Sequence, residues 1–284
     1  MTVSSIPDWP AGDAVVCMSV SARPGRFGST VHTAGYRALG LNYVYLARAA
    51  TEIAPVIAAI RTLGIRGCSV SMPFKTEVIA HLDALDPLAA EVGAVNTVVN
   101  DAGKLTGYNT DVAGVVESLR PLAGQIGSAL VLGAGGMSRA VLVALAQLGI
   151  RGVAIAARRR DAAAALGRDH AIQAIDWEER AAANADLLIN ATSVGMAPSV
   201  DETPMPEAGL QRFRVVADVV ASPPETLLLA LAARRGLTTV SGLQVAFHQA
   251  LSQFRYYTRS DPPVAAMRAA AEQLAGGRLT VATE

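Results

Sequence analysis

Val131-Leu132-Gly133-Ala134-Gly135-Gly136-Met137-Ser138-Arg139-Ala140 decides the fold of this chain. Ala129–Leu132 reads as a short buried strand, and the apolar spacing after the glycines predicts a helix to Leu148. A glycine loop between strand and helix is the setting of a dinucleotide fingerprint, although Ser138 stands where the third glycine usually does. Gly133 allows the tight turn and Gly135 the close approach of backbone to pyrophosphate. The helix opening near Gly136 and Met137 offers free N–H groups and its positive dipole end to phosphate. Ala134 completes the candidate loop.

The next strand, Val153–Ala157, ends in Arg158-Arg159-Arg160, with no acid before Asp161. A carboxylate here would accept hydrogen bonds from a ribose 2′-hydroxyl and repel a 2′-phosphate, whereas guanidinium groups bind the phosphate bidentately. Arg158 and Arg159 therefore predict NADP rather than NAD. Strands over Leu187–Asn190, Val215–Val220 and Thr238–Val240 continue the series. Pro223-Pro224-Glu225 reads as a helix start, and helices follow from Gly242 to Tyr257 and from Pro263 to about Leu274.

Upstream, strands are expected at Ala14–Val20, Tyr43–Leu46, Gly67–Val70, Val95–Asn100 and Leu105–Asn109, the last two as a hairpin turning at residues 100–103. Helices are expected at Val31–Leu39, Thr51–Leu63 and Thr76–Leu85. This alternation predicts an α/β protein with largely parallel sheets. We expect an N-terminal α/β substrate domain plus a Rossmann-type, doubly wound NADP domain. The substrate domain would span residues 1–111 and 242–284, its C-terminal helices returning to it, with the NADP domain over 112–241.

Composition narrows the function. The 284 residues are 51% hydrophobic and 17% charged, which suits a globular chain of about two domains. Lys+Arg and Asp+Glu both number 24, so no net positive field gathers nucleic acid or anionic lipid. Cys17 and Cys68 cannot form a disulfide framework, and the four histidines show no zinc-ligand spacing, so no metal is expected. Met1–Trp9 lacks a basic start and an apolar run, and no stretch approaches the roughly 18 apolar residues of a membrane span. A soluble, cytoplasmic protein acting on a small molecule, as a monomer or homodimer, is expected.

Only two of the basic residues are lysines, Lys75 and Lys104. Arginine stays protonated to about pH 12, whereas a suitably placed lysine exchanges its proton. Lys104 reads as a surface residue. Lys75 ends Ser69-Val70-Ser71-Met72-Pro73-Phe74-Lys75 at the carboxyl end of a strand, where open α/β sheets bind ligands. Reduction of a carbonyl by hydride requires a positioned proton donor. Asp111, in Asn109-Thr110-Asp111, offers an orienting carboxylate, and Asn96, in Gly93-Ala94-Val95-Asn96-Thr97, a neutral donor and acceptor.

These segments resemble, in order, four motifs of the shikimate dehydrogenase family: Asn-Val-Thr-x-Pro-Phe-Lys, Gly-Ala-Val-Asn-Thr, Asn-Thr-Asp and Gly-Ala-Gly-Gly-Ala-x-Arg-Ala. The resemblance covers nearly the whole chain. Asn190-Ala191-Thr192-Ser193 is similar to the family's nicotinamide-side segment, Asp218-Val219-Val220 to its Asp-led strand, and Gly242 with Gln249 and Phe254 to its C-terminal helix. The resemblance implies an NADP-linked, reversible reduction of 3-dehydroshikimate to shikimate, a step of the chorismate pathway of aromatic amino acid biosynthesis. It implies that Lys75 protonates the new hydroxyl, that Asp111 hydrogen-bonds hydroxyl and lysine, and that Ser71, Asn96 and Gln249 hold ring hydroxyls. Thr192, Ser193, Val219 and Gly242 join the cofactor set.

The departures are concentrated at one place. The family grips the substrate carboxylate with Ser-x-Ser-Pro before a His-Asn pair; counting back from His32, the serine positions fall on Arg26 and Gly28. Ser69 also replaces an asparagine, Val245 a methionine, Ala221 a tyrosine and Ala157 an asparagine. Either Arg23 or Arg26, with Ser29 and Thr30, binds the same carboxylate, or the substrate is quinate or an aminated analogue. A non-catalytic NADP-binding sensor would need no Lys75 and Asp111. Folate-linked methylene dehydrogenases share the layout but not the Asn-Thr-Asp and Gly242…Gln249 matches.

Overall fold

The computed structural model describes residues 12–277 and 279; the N-terminal stretch Met1–Trp9 lies outside them. The chain forms two compact units. The first holds the described residues up to Pro87, with Val95–Tyr108 and Gln253–Gly276; the second holds Leu88–Ala94 and Asn109–Ser252, with Gly277 and Leu279.

In the first unit, β1 (Val15–Ser21), α1 (Phe27–Ala38), β2 (Tyr43–Ala49), α2 (Ala54–Thr62) and β3 (Gly67–Val70) alternate. β4 (Ala84–Leu85), β5 (Thr97–Asp101) and β6 (Lys104–Tyr108) complete a sheet of order β2-β1-β3-β5-β6-β4. β1 pairs parallel with β2 and β3, while β5 runs antiparallel to β3 and β6. Ala102 and Gly103, both at positive φ (51° and 94°), form the two-residue turn that a tight hairpin requires.

Thr76–Leu85 departs from expectation. Val78, Ile79, Leu82 and Leu85 have helical spacing, yet only a 3-10 turn forms at Glu77–His81, and Ala84–Leu85 join the sheet beside β6. The Asp83 carboxylate accepts the Leu105 N–H at 2.7 Å, and the Asp83 N–H donates to the Leu105 carbonyl at 3.0 Å. Bonding to a distant strand outweighs local periodicity here.

The second unit begins with most of α3 (Pro87–Val92) and continues through α4 (Asp111–Leu119), β7 (Ser128–Leu132), α5 (Gly136–Gln147), β8 (Gly152–Ala156), α6 (Arg160–Asp169) and β9 (Gln173–Ile175). β10 (Leu187–Asn190), β11 (Val215–Asp218), α7 (Leu227–Arg234) and β12 (Thr238–Val240) follow. Their order, β12-β11-β10-β7-β8-β9, is fully parallel and reverses direction between β10 and β7, the doubly wound arrangement expected. Burial alternates as two covered faces demand. Ala129, Val131, Leu187, Ile189, Val215 and Ala217 enter one core with α4 and α5. Leu130, Leu132, Leu188 and Val216 enter the other with α7.

α7 begins after Pro223-Pro224, not at them: Thr226 is its N-cap, and its side chain accepts the Leu229 N–H. α8 (Gly242–Thr258) belongs to the second unit through Ser252 and to the first from Gln253; α9 (Val264–Ala275) packs on α1 in the first. No described helix is long and apolar enough to cross a membrane.

Candidate active site

In the second unit, β7 delivers the chain into Gly133 at φ +112°, where a Cβ would lie 3.0 Å from the Ala191 carbonyl oxygen. Glycine is required there by both dihedral and space. Gly135 is the N-cap of α5, and a Cβ added to it meets nothing within 4 Å, so its backbone borders open space. Ser138 is buried, and its hydroxyl accepts the Gly135 N–H at 3.2 Å, which gives this departure from a third glycine a capping role. Gly136 and Met137 form the first turn of α5, and Ala134 packs on the core beside them.

At the end of β8 the three arginines divide. The Arg160 Nε pairs with Asp176 Oδ1 at 2.9 Å. Arg158 and Arg159 are exposed and have no ion pair among the described residues. The loop and this pair fit a dinucleotide with a 2′-phosphate: open space beside the glycine backbone, and two uncommitted guanidinium groups after the adjacent strand.

Asn190 and Asp218 hold the remaining cofactor candidates. The Asn190 Oδ1 accepts from the Thr192 N–H and hydroxyl at 2.9 and 2.6 Å, while its Nδ2 donates to Asp218 Oδ1 at 2.9 Å. Asp218 also accepts from the Val220 N–H at 2.9 Å and the Thr226 hydroxyl at 2.7 Å. Burial pushes this carboxyl up to about 7 despite those bonds. Thr192 and Val219 are half-buried and Ser193 is exposed along these loops. Gly242 abuts the Val219–Val220 backbone so closely that any Cβ would collide with the Val220 carbonyl.

Asp111 begins α4, three residues after β6, and is 3% exposed. The Asn109 Oδ1 accepts the Asp111 and Val112 N–H groups at 3.1 and 3.3 Å, fixing the helix start. A Cβ on Gly114 would lie 2.7 Å from the Val245 carbonyl oxygen, so α4 and α8 approach closely. That approach brings the Gln249 Nε2 within 3.0 Å of Asp111 Oδ1.

In the first unit, Lys75 is half-buried behind the buried Phe74, and its carbonyl accepts the Val95 N–H at 2.7 Å. This bond sets Lys75 beside Asn96, which is fully buried. Ser71 is exposed, its N–H donating to the Val20 carbonyl at 2.9 Å. Lys104, by contrast, is exposed on the hairpin. Arg26 and Gly28 open α1; Arg26 is exposed, and a Gly28 Cβ would lie 3.2 Å from the Tyr45 hydroxyl. Ser29 Oγ donates to the Arg26 carbonyl at 2.9 Å.

Sequence reading missed Tyr45, Gln253 and Thr97. Tyr45 stacks on His32 with ring centroids 4.6 Å apart, and burial holds the His32 imidazole down at about 4. Cys17 and Cys68 are buried thiols, and burial pushes Cys17 up to about 12. Among the described residues no group of three acidic, histidine or cysteine side chains could hold a metal ion.

Comparison with known proteins follows the same division. Residues 27–98 match the shikimate dehydrogenase substrate binding domain, and residues 122–221 the shikimate / quinate 5-dehydrogenase family. A shikimate dehydrogenase-like protein of Haemophilus influenzae is 39% identical over 253 residues, covering 88% of this chain and 93% of that one. The shikimate 5-dehydrogenase of Thermus thermophilus, solved with NADP(H) and shikimate, superposes with a TM-score of 0.81 at 32% identity, over 91% of this chain and 99% of that one. The quinate dehydrogenase of Corynebacterium glutamicum, solved with NAD, superposes with a TM-score of 0.82 at 30% identity, over 90% and 98%.

Proposed function

Because this chain belongs to the shikimate dehydrogenase family, we propose that it interconverts 3-dehydroshikimate and shikimate with NADP as redox partner. The 3.0 Å bond between Gln249 and Asp111 carries this reading, since it joins on facing helices two side chains suited to hold a hydroxylated ring. In the reductive direction bound NADPH supplies a hydride to the carbonyl carbon, and the oxygen must then gain a proton. Lys75 donates that proton. Asp111 accepts a hydrogen bond from the resulting hydroxyl, its second partner, Gln249, keeping the carboxylate turned. Asn96, Ser71 and Gln249 bind ring hydroxyls, and Arg26 draws the substrate carboxylate, while the Ser29 hydroxyl spends its proton on the Arg26 carbonyl.

We assign substrate binding to residues 1–111 and 242–284, and NADP binding to 112–241. Gly133–Met137, Thr192, Ser193, Val219 and Gly242 shape the cofactor loops, and Arg158 with Arg159 binds the 2′-phosphate. A second reading, quinate as substrate, is favoured by one observation. The first turn of α1 carries the exposed Arg26 and Gly28 where the family has two serines, a changed carboxylate grip beside which quinate's extra ring hydroxyl would sit.

Specificity constants for shikimate and quinate, each with NADP+ and NAD+, test both readings. We expect NADP+ reduction by shikimate. A larger constant for quinate transfers the substrate assignment, and tight NADP binding without turnover of either makes the protein a sensor.

A further inference from the structure

In the second unit, the loops that follow β10 and β11 are tied to one carboxyl. Asn190 fits in only one orientation. Its Oδ1 accepts the Thr192 N–H, which only donates, and its Nδ2 donates at 3.2 Å to the Val194 carbonyl, which only accepts. That Nδ2 and the Val220 N–H, donors both, meet Asp218 Oδ1 at 2.9 Å each. Oδ1 is thus an acceptor whatever the charge of the group. Oδ2 meets the Thr226 hydroxyl at 2.7 Å, and a hydroxyl can donate or accept. A proton on Asp218 therefore belongs at Oδ2, donating to Thr226; without it, Thr226 donates instead. The Val219 N–H, on the adjoining loop, donates to the Asn190 carbonyl at 3.0 Å. Among the described residues no charged side chain bonds to this carboxyl. β10 and β12, on either side of β11, carry no charged residue, and α7 has only Arg234, in its last turn. Asp201, Glu202 and Glu225, in the connections, are exposed.

We propose that Asp218 is a positioning residue: loss of its Oδ2 proton tightens the backbone at Thr192 and Val219–Val220, on which the dinucleotide rests, so that affinity for NADP rises with pH. The inference rests on the reading that Thr192, Ser193 and Val219 border the cofactor. A carboxylate accepts charge-assisted bonds about twice as strong as neutral ones, so the ionised form holds Asn190 and Val220 harder. Burial makes that same form more costly to the fold as a whole. Asp218→Asn imitates the neutral acid, its oxygen still accepting and its amide donating permanently to Thr226.

The test uses the full-length protein with Asp218→Asn, Thr226→Val and Thr226→Ser, titrated calorimetrically with NADP+ between about pH 5.5 and 8.5. Carboxyl and amide NMR spectra without cofactor accompany it. Burial pushes the Asp218 carboxyl up to about 7, and the Thr192 and Val220 amide resonances should follow its midpoint. Across that midpoint wild-type affinity should rise about threefold to tenfold relative to Asp218→Asn. Taking the ratio cancels the titration of the cofactor's own 2′-phosphate. Thr226→Ser, which keeps the hydroxyl, should match wild type. Thr226→Val removes a donor to the charged form and should move the midpoint up by about one pH unit. Parallel affinity curves in wild type and folded Asp218→Asn overturn the inference and leave NADP binding standing. Amide resonances that ignore the carboxyl's midpoint overturn it too. A wild type that binds no NADP+ at any pH defeats the cofactor reading and the affinity claim with it, and the amides still decide whether Asp218 sets the loops.

Discussion

Two buried polar networks, one in each unit, solve the same problem in opposite ways. Around Asp218 a single carboxylate gathers the Asn190 amide, the Val220 N–H and the Thr226 hydroxyl. Around Gln253 a neutral amide gathers a serine, a threonine and a backbone carbonyl. The charged network ties the connections that follow β10 and β11 together at the cost of a carboxyl that burial makes hard to ionise. The neutral one buries no carboxyl, and its titratable neighbour, His32, is held neutral down to about 4 by burial. The carboxylate organises loop backbone in the second unit, and the amide ties α8 to β3 and β5 within the first.

If that contrast holds, variants should separate turnover from cofactor preference and from pH-dependent stability. The largest effect belongs to Lys75→Ala, expected to lower kcat by about 10²–10⁴-fold with the NADP+ KM within about twofold. An equal rise in that KM would erase the division between the units. Next, Arg158→Ala with Arg159→Ala should reduce the NADP-over-NAD ratio of kcat/KM by roughly 10–100-fold, as loss of charge-assisted bonds predicts. Equal losses with both cofactors would remove the arginines from 2′-phosphate binding.

The smallest effect on turnover belongs to Asp218, whose substitution acts on stability. Its pKa is raised in the folded state from 3.8 to about 7, so folding binds a proton between those values. Stability is then greatest below the lower value and declines as pH rises toward the upper one. Wild type should lose up to about 4 kcal/mol across that window relative to Asp218→Asn, read as a Tm that falls more steeply with pH. Parallel Tm curves from pH 4.5 to 8 would mean that Asp218 ionises without penalty.

Much of this fold was legible because its strongest signals are local. β3, β10 and β12 fall on the residues expected, and the glycine loop sits between β7 and α5 as its spacing required. Where local pattern competed with distant bonding, it lost. Leu82 and Leu85 mimic a helix, but the Asp83 bonds to Leu105 make a strand. Thr226 caps α7 while bonding Asp218, so the helix starts after the proline pair that looked like its first turn. β9, three residues at the sheet edge, is too short for any periodicity to register. Among the candidate residues, Lys75, Asp111 and the arginines stood out by rarity and position. Gln253 did not, because its partners Thr97 and Ser69 lie 156 and 184 residues away and an isolated helical glutamine carries no signal.

Direct hydride transfer between the substrate ring and NADP leaves an isotopic signature. Shikimate carrying deuterium on the carbon of its oxidisable hydroxyl, incubated with NADP+ and wild-type protein, tests it most directly. The expected product is NADPH that contains the deuterium, formed more slowly than from unlabelled shikimate wherever chemistry limits the rate. Deuterium released to water, or no reduced cofactor at enzyme concentrations approaching the substrate's, would contradict it.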